Sequence, residues 1–214
     1  MPAAPPSVAH RRGPYRTGER RRAQILDAAS SVFGEFGFAG GSVRAIAERV
    51  GVSPATLLQH FGSKEGLLMA VLNDWDRQTI DASLTGVSGL AYFGRMPDVM
   101  RSHLHRRGLL ELFATIAAEA TSPSHPAHQF IQQRYASNRA NLSFHLRQAI
   151  ADGDITPLSD SQIDREARLM DAVLDGIGLQ WLLDSSTDMV ACVADYIDHS
   201  VSRWRNGLQG SRNT

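Results

Sequence analysis

The stretch Pro54 to His60, PATLLQH, carries side chains that could read a base-pair edge without committing to a fixed charge. Thr56 and Gln59 can hydrogen-bond base edges, glutamine being suited to adenine, and Ala55 can meet a thymine methyl. Fixed charge stands around the stretch instead, with Arg44 before it and Lys64 after it. The amino-terminal end of a helix placed here would also point backbone N–H groups and the positive end of its dipole toward phosphate. That division suits an interface in which backbone contacts set position and base contacts set sequence.

Such side chains need elements to hold them. Ser53 and Pro54 form a cap with a first-turn proline, and Gly51 supplies a left-handed residue ahead of them. Before that, Ser42 can cap a short helix carrying Val43, Ile46, Ala47 and Val50. Two helices joined through Gly51-Val52-Ser53 have the spacing of a helix-turn-helix, with Ser42–Val50 crossing the backbone and Pro54–His60 in the major groove. A preceding helix is expected from about Glu19 to Phe36, where Ile25, Ala29, Val32, Phe33 and Phe36 recur every three or four residues and Gly37 can end it. A following helix starts at Lys64 and uses Leu67, Leu68, Val71, Leu72 and Trp75. Short capped helices also occur in many all-α proteins, so spacing alone leaves DNA binding and plain helical packing both open.

The 214 residues suit one large or two small domains, and 43% apolar with 21% charged residues is an ordinary globular composition. The formal net charge of zero hides an asymmetry: residues 1–72 hold nine Arg and Lys against five Asp and Glu, and the remainder thirteen against seventeen. One end is thus fitted to a polyanion. The excess lies mostly in Arg11, Arg12, Arg16, Arg20, Arg21 and Arg22, and residues 1–16 read as a disordered basic arm. No apolar run follows the basic N-terminal residues as in a signal peptide, and none reaches the ~18 residues of a membrane span, which places the protein in the cytoplasm. The single cysteine, Cys192, excludes an intrachain disulfide. It falls in an apolar helical pattern and is expected to be a buried, inert thiol.

Beyond residue 82, helical periodicity continues. Gly86 to Pro97 reads as a loop; helices follow around Leu109–Ala117, Ile131–Ile150, Ile163–Leu183 and Thr187–Trp204, with breaks at Pro123, Pro126 and Ala151–Pro157 and a fraying tail after Asn206. Met170, Val173, Leu174, Ile177 and Trp181, and then Val190, Val193, Ile197, Val201 and Trp204, form apolar stripes. Gly176 and Gly178 each cost about 1 kcal/mol relative to alanine, so close helix approach or a loosened, ligand-responsive helix is expected there. The pairs His103/His105 and His125/His128 lack a completing ligand cluster at recognisable spacing, and exposed or capping roles are expected, with no metal. No nucleophile elbow, phosphate loop or linked acid–base set is present, so no enzyme and no cofactor is expected.

The segments ILDAASSVFGEFGF and SVRAIAERVGVSPATLLQHFGSKEGLL, between about Arg20 and Leu72, closely resemble the N-terminal domain of the TetR family of transcriptional regulators. The resemblance covers about a quarter of the chain. It implies an all-α protein: a helix-turn-helix DNA-binding head over 17–63, then a ligand-binding and dimerisation domain over 64–206, with a disordered tail at 207–214. It places Ser42, Arg44, Ser53, Ala55, Thr56, Leu58, Gln59, His60 and Lys64 at the DNA. The family usually has tyrosine where this chain has Leu58. Either a phosphate contact is lost, or Leu58 packs on sugar or a thymine methyl, or it joins the core beside Leu57.

The resemblance also implies a homodimer through the last two helices and an effector cavity. Trp75, Phe113, Ile116, Tyr135, Asn138, Phe144 and Met170 fall on the helices that surround that cavity in the family, though core packing is the competing role for each. The expected function is a ligand-responsive repressor. It would bind a pseudo-palindromic double-stranded DNA operator and be released or altered by a small organic effector. The alternative is a dimeric ligand-binding module of the same fold that does not bind DNA.

Overall fold

A computed structural model describes residues 14–79 and 84–207. The described residues form helices and turns, with no strand among them. In chain order the elements are α1 (Pro14–Gly40), α2 (Val43–Val50), α3 (Pro54–Phe61), α4 (Lys64–Thr79), α5 (Leu90–Phe93), α6 (Met96–Leu104), α7 (Arg107–Glu119), α8 (His128–Ala151), α9 (Asp160–Leu183) and α10 (Met189–Asn206). The all-α architecture with an N-terminal helix-turn-helix head is as the sequence indicates.

Local chemistry sets the helix limits. Ser42 accepts from the Ala45 N–H at 3.0 Å, and Gly51 takes φ 72, ψ 44 after α2. Ser159 and Gln162 form a reciprocal capping box at the start of α9. Asp188 accepts from Ala191 N–H at 3.0 Å to open α10.

Some boundaries differ from expectation. α1 begins at Pro14, inside the stretch expected to be a disordered arm, while Arg11 and Arg12 lie outside the described residues. Gly37 does interrupt α1, at φ 68, ψ 179, but helical turns resume to Gly40. The expected loop at Gly86–Pro97 contains α5 and the first turn of α6, because Tyr92, Phe93 and Met96 are buried and draw the segment onto the body. The tail at 208–214 lies outside the described residues.

Two apolar clusters build the interior. One joins α1–α4 to α7 and the start of α8, through Phe33, Ile46, Leu57, Leu68, Leu112 and Ile116. The head therefore shares its core with α7, and α1 with α7 is the most extensively packed helix pair. Gly34 permits this, since a Cβ there would lie 3.1 Å from Leu112 N, and Thr115 Oγ1 donates to the Gly34 carbonyl at 3.1 Å. The second cluster joins α5 and α6 to α8, α9 and α10, with Trp204 at its base. There Glu166, 4% exposed, accepts from Trp204 Nε1 at 2.8 Å and from Arg203 Nη2 at 2.8 Å, so the buried carboxylate is paired.

Three apolar residues stand differently from their sequence pattern. Phe36, placed in the α1 stripe, is 54% exposed because it falls just before the Gly37 break. Cys192 is exposed, not buried. The inward face of α10 runs through Met189, Val193, Ile197, Ser200 and Trp204, and a helix turns about 100° per residue, so the position before Val193 faces out. Gly176 and Gly178 meet no close helix: among the described residues nothing lies within 4 Å of a Cβ at either position.

Candidate nucleic-acid interface and body cavity

α3 is short because it is capped at both ends. Ser53 Oγ accepts from Thr56 N–H at 3.1 Å, Pro54 fills the first turn, and Gly62 N–H reaches the Leu58 carbonyl at 2.8 Å with φ 78. Leu57 alone of the helix is fully buried. It anchors α3 to α2 and α4, leaving Ala55, Leu58, Gln59 and His60 exposed and Thr56 half-buried. Leu58 is 42% exposed against 1% for Leu57, which overturns the core-packing role for Leu58 and leaves its side chain available for apolar contact.

The flanking charges are arranged less simply. Arg44 is exposed and pairs with Glu48 Oε1 at 3.0 Å, one turn along α2. Such a solvated pair is worth ~0.3–0.5 kcal/mol, so phosphate can displace the glutamate readily. Lys64 turns back from the α4 terminus. Its Nζ donates to the Ala39 carbonyl at 3.3 Å and sits 4.6 Å from the Phe38 ring centre. Arg21 on α1 donates to the Gly51 carbonyl at 3.3 Å, and Arg22 stands 5.9 Å above Phe61. These two arginines bind α1 to the turn and to the end of α3, a role that a run of three arginines in sequence does not reveal.

Beneath the head, Phe38 connects to the body. Its N–H donates to Glu119 Oε2 at 2.8 Å, and its ring meets His125 edge-on at 5.3 Å. His125 and His128 act as caps: His125 Nδ1 accepts from Ala127 N–H at 3.2 Å, and His128 Nδ1 lies 2.8 Å from the Ala120 carbonyl. Among the described residues no three His, Cys, Asp or Glu are grouped to hold a metal.

In the body, a cavity of about 380 Å³ is walled by α4, α6, α7, α8, α9 and the start of α10. Trp75, Phe113, Tyr135 and Asn138 line it as expected. Ile116 and Met170 do not: both are sealed in the apolar clusters, at 0% and 1% exposure. Phe144, at 51% exposure, lies instead on a second hollow with Tyr92, Asn141 and His145. A helical stripe cannot separate core from cavity wall, which explains those three departures.

The polar side of the cavity was not evident in the sequence. Arg134 stacks 3.7 Å from the Trp75 ring centre, and its Nη1 pairs with Asp76 of α4. Tyr135 donates its hydroxyl to Asp175 of α9. Burial pushes Asp175 above the usual carboxylate range, and burial with the neighbouring Asp175 charge takes Asp171, one turn earlier, to about 6.

Comparisons with known proteins agree with this architecture. Residues 25–71 match the family model described as bacterial regulatory proteins, tetR family. The HTH-type transcriptional repressor KstR2 of Rhodococcus jostii is 32% identical over 124 residues, 58% of this chain, and that match spans about half of KstR2, 54%. Among solved structures, Salmonella enterica GusR superposes with a TM-score of 0.69 at 26% identity, over 88% of this chain and 96% of that one. A TetR-family regulator from Rhodococcus sp. gives a TM-score of 0.71 at 21% identity, over 87% and 99% of the two chains. With the matched head, the capped α3 and the shared architecture, residues 25–71 form a head of the kind found in the tetR family of bacterial regulatory proteins, on a fold shared with those regulators.

Proposed function

We propose that the protein is a ligand-responsive transcriptional repressor that binds a pseudo-palindromic operator as a homodimer and is released by a small organic effector. The carrying observation is α3: a capped helix whose one fully buried residue is Leu57, with Ala55, Leu58, Gln59 and His60 exposed. Thr56, Gln59 and His60 would face base edges, and Ala55 and Leu58 thymine methyls or sugar. Ser42, Ser53, Arg44 and Lys64 would meet phosphate, Lys64 after leaving Ala39. KstR2, named a repressor, supports the direction of control.

Dimerisation through α9 and α10 is supported by the apolar surface that α9 leaves open, with Leu169 at 43%, Leu179 at 50% and Leu183 at 82% exposure. Two heads in a symmetric pair would address half-sites ~34–36 Å apart. The body cavity, within the ~300–1,000 Å³ range of small-molecule sites, would take the effector. Effector control requires that the ligand bind the DNA-competent and incompetent arrangements with different affinity. Among the described residues no helix is long and apolar enough to cross a membrane, consistent with a cytoplasmic regulator.

Selection from random duplex DNA, followed by affinity measurement across salt, tests this. The expected result is enrichment of an inverted repeat bound by a dimer, with log affinity falling linearly against log salt. Binding without sequence preference, or by single chains, would reject it in favour of the module that does not bind DNA.

A further inference from the structure

We propose that the body cavity is built for an apolar carboxylic acid, whose carboxylate takes Arg134 from Asp76 and so breaks the ion pair between α4 and α8. This rests on the reading of the cavity as an effector site and specifies its ligand.

Arg134 is the buried partner of an unequal pair. Its side chain is 13% exposed, whereas Asp76 is 47% exposed. A guanidinium stays charged and presents five donors in a planar fork. Here Nη1 bonds Asp76, while Nε is sealed from solvent with no hydrogen-bond partner among the described residues. A buried charge cannot be left unpaired, but a half-exposed carboxylate returns to water easily. The arrangement therefore favours exchange: one carboxylate leaves for solvent, and another arrives from the cavity and takes the Nη1 donor that Asp76 gives up. Net charge around Arg134 is unchanged by the exchange.

The rest of the cavity fits the apolar part of such a molecule. Trp75, Met100, Leu110, Phe113, Leu174 and Leu179 give it hydrocarbon and aromatic walls. Asn138 lies beside Arg134 on α8 and can donate to a second carboxylate oxygen. Asp175 works against an anion, although it receives the Tyr135 hydroxyl and burial pushes its carboxyl above the usual range. A neutral ligand would leave the Arg134–Asp76 pair intact, and a cation would face the guanidinium.

Exchange has a mechanical result. Asp76 and Trp75 belong to α4, whose first residue, Lys64, lies against the α1 corner at Phe38 and Ala39. Losing that ion pair removes a polar tie between α8 and the helix that leads from the cavity to the head, while the Arg134–Trp75 stack remains. An acid that binds the untied arrangement more tightly must shift the population toward it.

Calorimetry on the full chain with 4-phenylbutanoate, 4-phenylbutan-1-ol and 4-phenylbutan-1-amine separates the charge types on one skeleton. The acid is expected to bind at least tenfold tighter than the alcohol, and the amine weakest. Arg134→Gln should erase the acid's advantage over the alcohol. Asp76→Asn, at a half-exposed position, removes the internal competitor and should tighten acid binding on the order of tenfold; Asp175→Asn should tighten it also. The proposal is overturned if the alcohol or amine matches the acid, if the acid does not bind, or if Asp76→Asn leaves its affinity unchanged. A neutral or cationic ligand that released operator DNA would sink this assignment alone, whereas wild-type protein without operator binding would sink the regulator reading alone.

Discussion

Glu119→Ala should weaken the joint between head and body measurably. Glu119 Oε2 accepts the Phe38 N–H at 2.8 Å and lies 3.4 Å from His125 Nε2, next to Gly37 in its left-handed conformation at φ 68. A hydrogen bond to a charged group contributes about 1.5–3 kcal/mol. The carboxylate is 31% exposed, so water can partly replace it, and the contribution falls to about 1–2 kcal/mol. For a chain of this size each kcal/mol moves the melting temperature ~2–4 °C, giving a fall of ~2–8 °C. Glu119→Gln keeps an acceptor without the charge and should lose about half as much. Phe38 also carries the Lys64 ammonium on its ring, so the alanine variant should bind operator DNA more weakly, read by fluorescence anisotropy. A Glu119→Ala protein that melts within about 1 °C of the parent and binds DNA equally well would refute this account of the joint.

Leu58→Tyr should tighten DNA binding severalfold at constant stability, since position 58 is 42% exposed and a hydroxyl there can reach phosphate; anisotropy on the selected operator checks it. Gly66→Ala should destabilise by about 1–3 kcal/mol, because its Cβ would lie 2.1 Å from the Phe61 carbonyl oxygen, and urea denaturation reads the loss. Asp171 has its carboxyl raised from 3.8 to about 6 by burial and by Asp175. The native state therefore holds this proton more tightly than the unfolded chain, so the stability it contributes below pH ~4 is lost as pH rises through about 6. Asp171→Asn should flatten that part of the stability profile and stabilise the protein above it by roughly 1–3 kcal/mol, measured by denaturation between pH 4 and 8.

The head was legible in the sequence because its determinants are local. Ser42, Gly51, Ser53 and Pro54 each act within four residues, and each holds the conformation their types suggest. The joint and the cavity were less legible because they depend on distant pairs. Phe38 and Glu119 are 81 residues apart and Arg134 and Asp76 are 58 apart, and in sequence each charge resembles an ordinary solvated residue on a helix. Periodicity identified which face of α7, α8 and α9 is apolar, yet Ile116 fills the core while Phe113, three residues earlier, borders empty space. Cys192 shows the same limit, since one helical step separates it from the fully buried Val193.

Trp75 forms part of the wall of the body cavity and also of a cleft where α1 meets α4 and α7. One indole thus borders both the chamber and that cleft, in stacking distance of the Arg134 guanidinium. If the chamber takes an effector as proposed, the chain carries its own optical gauge: emission from this tryptophan is expected to change on ligand binding without an attached dye, once Trp181 and Trp204 are exchanged for phenylalanine.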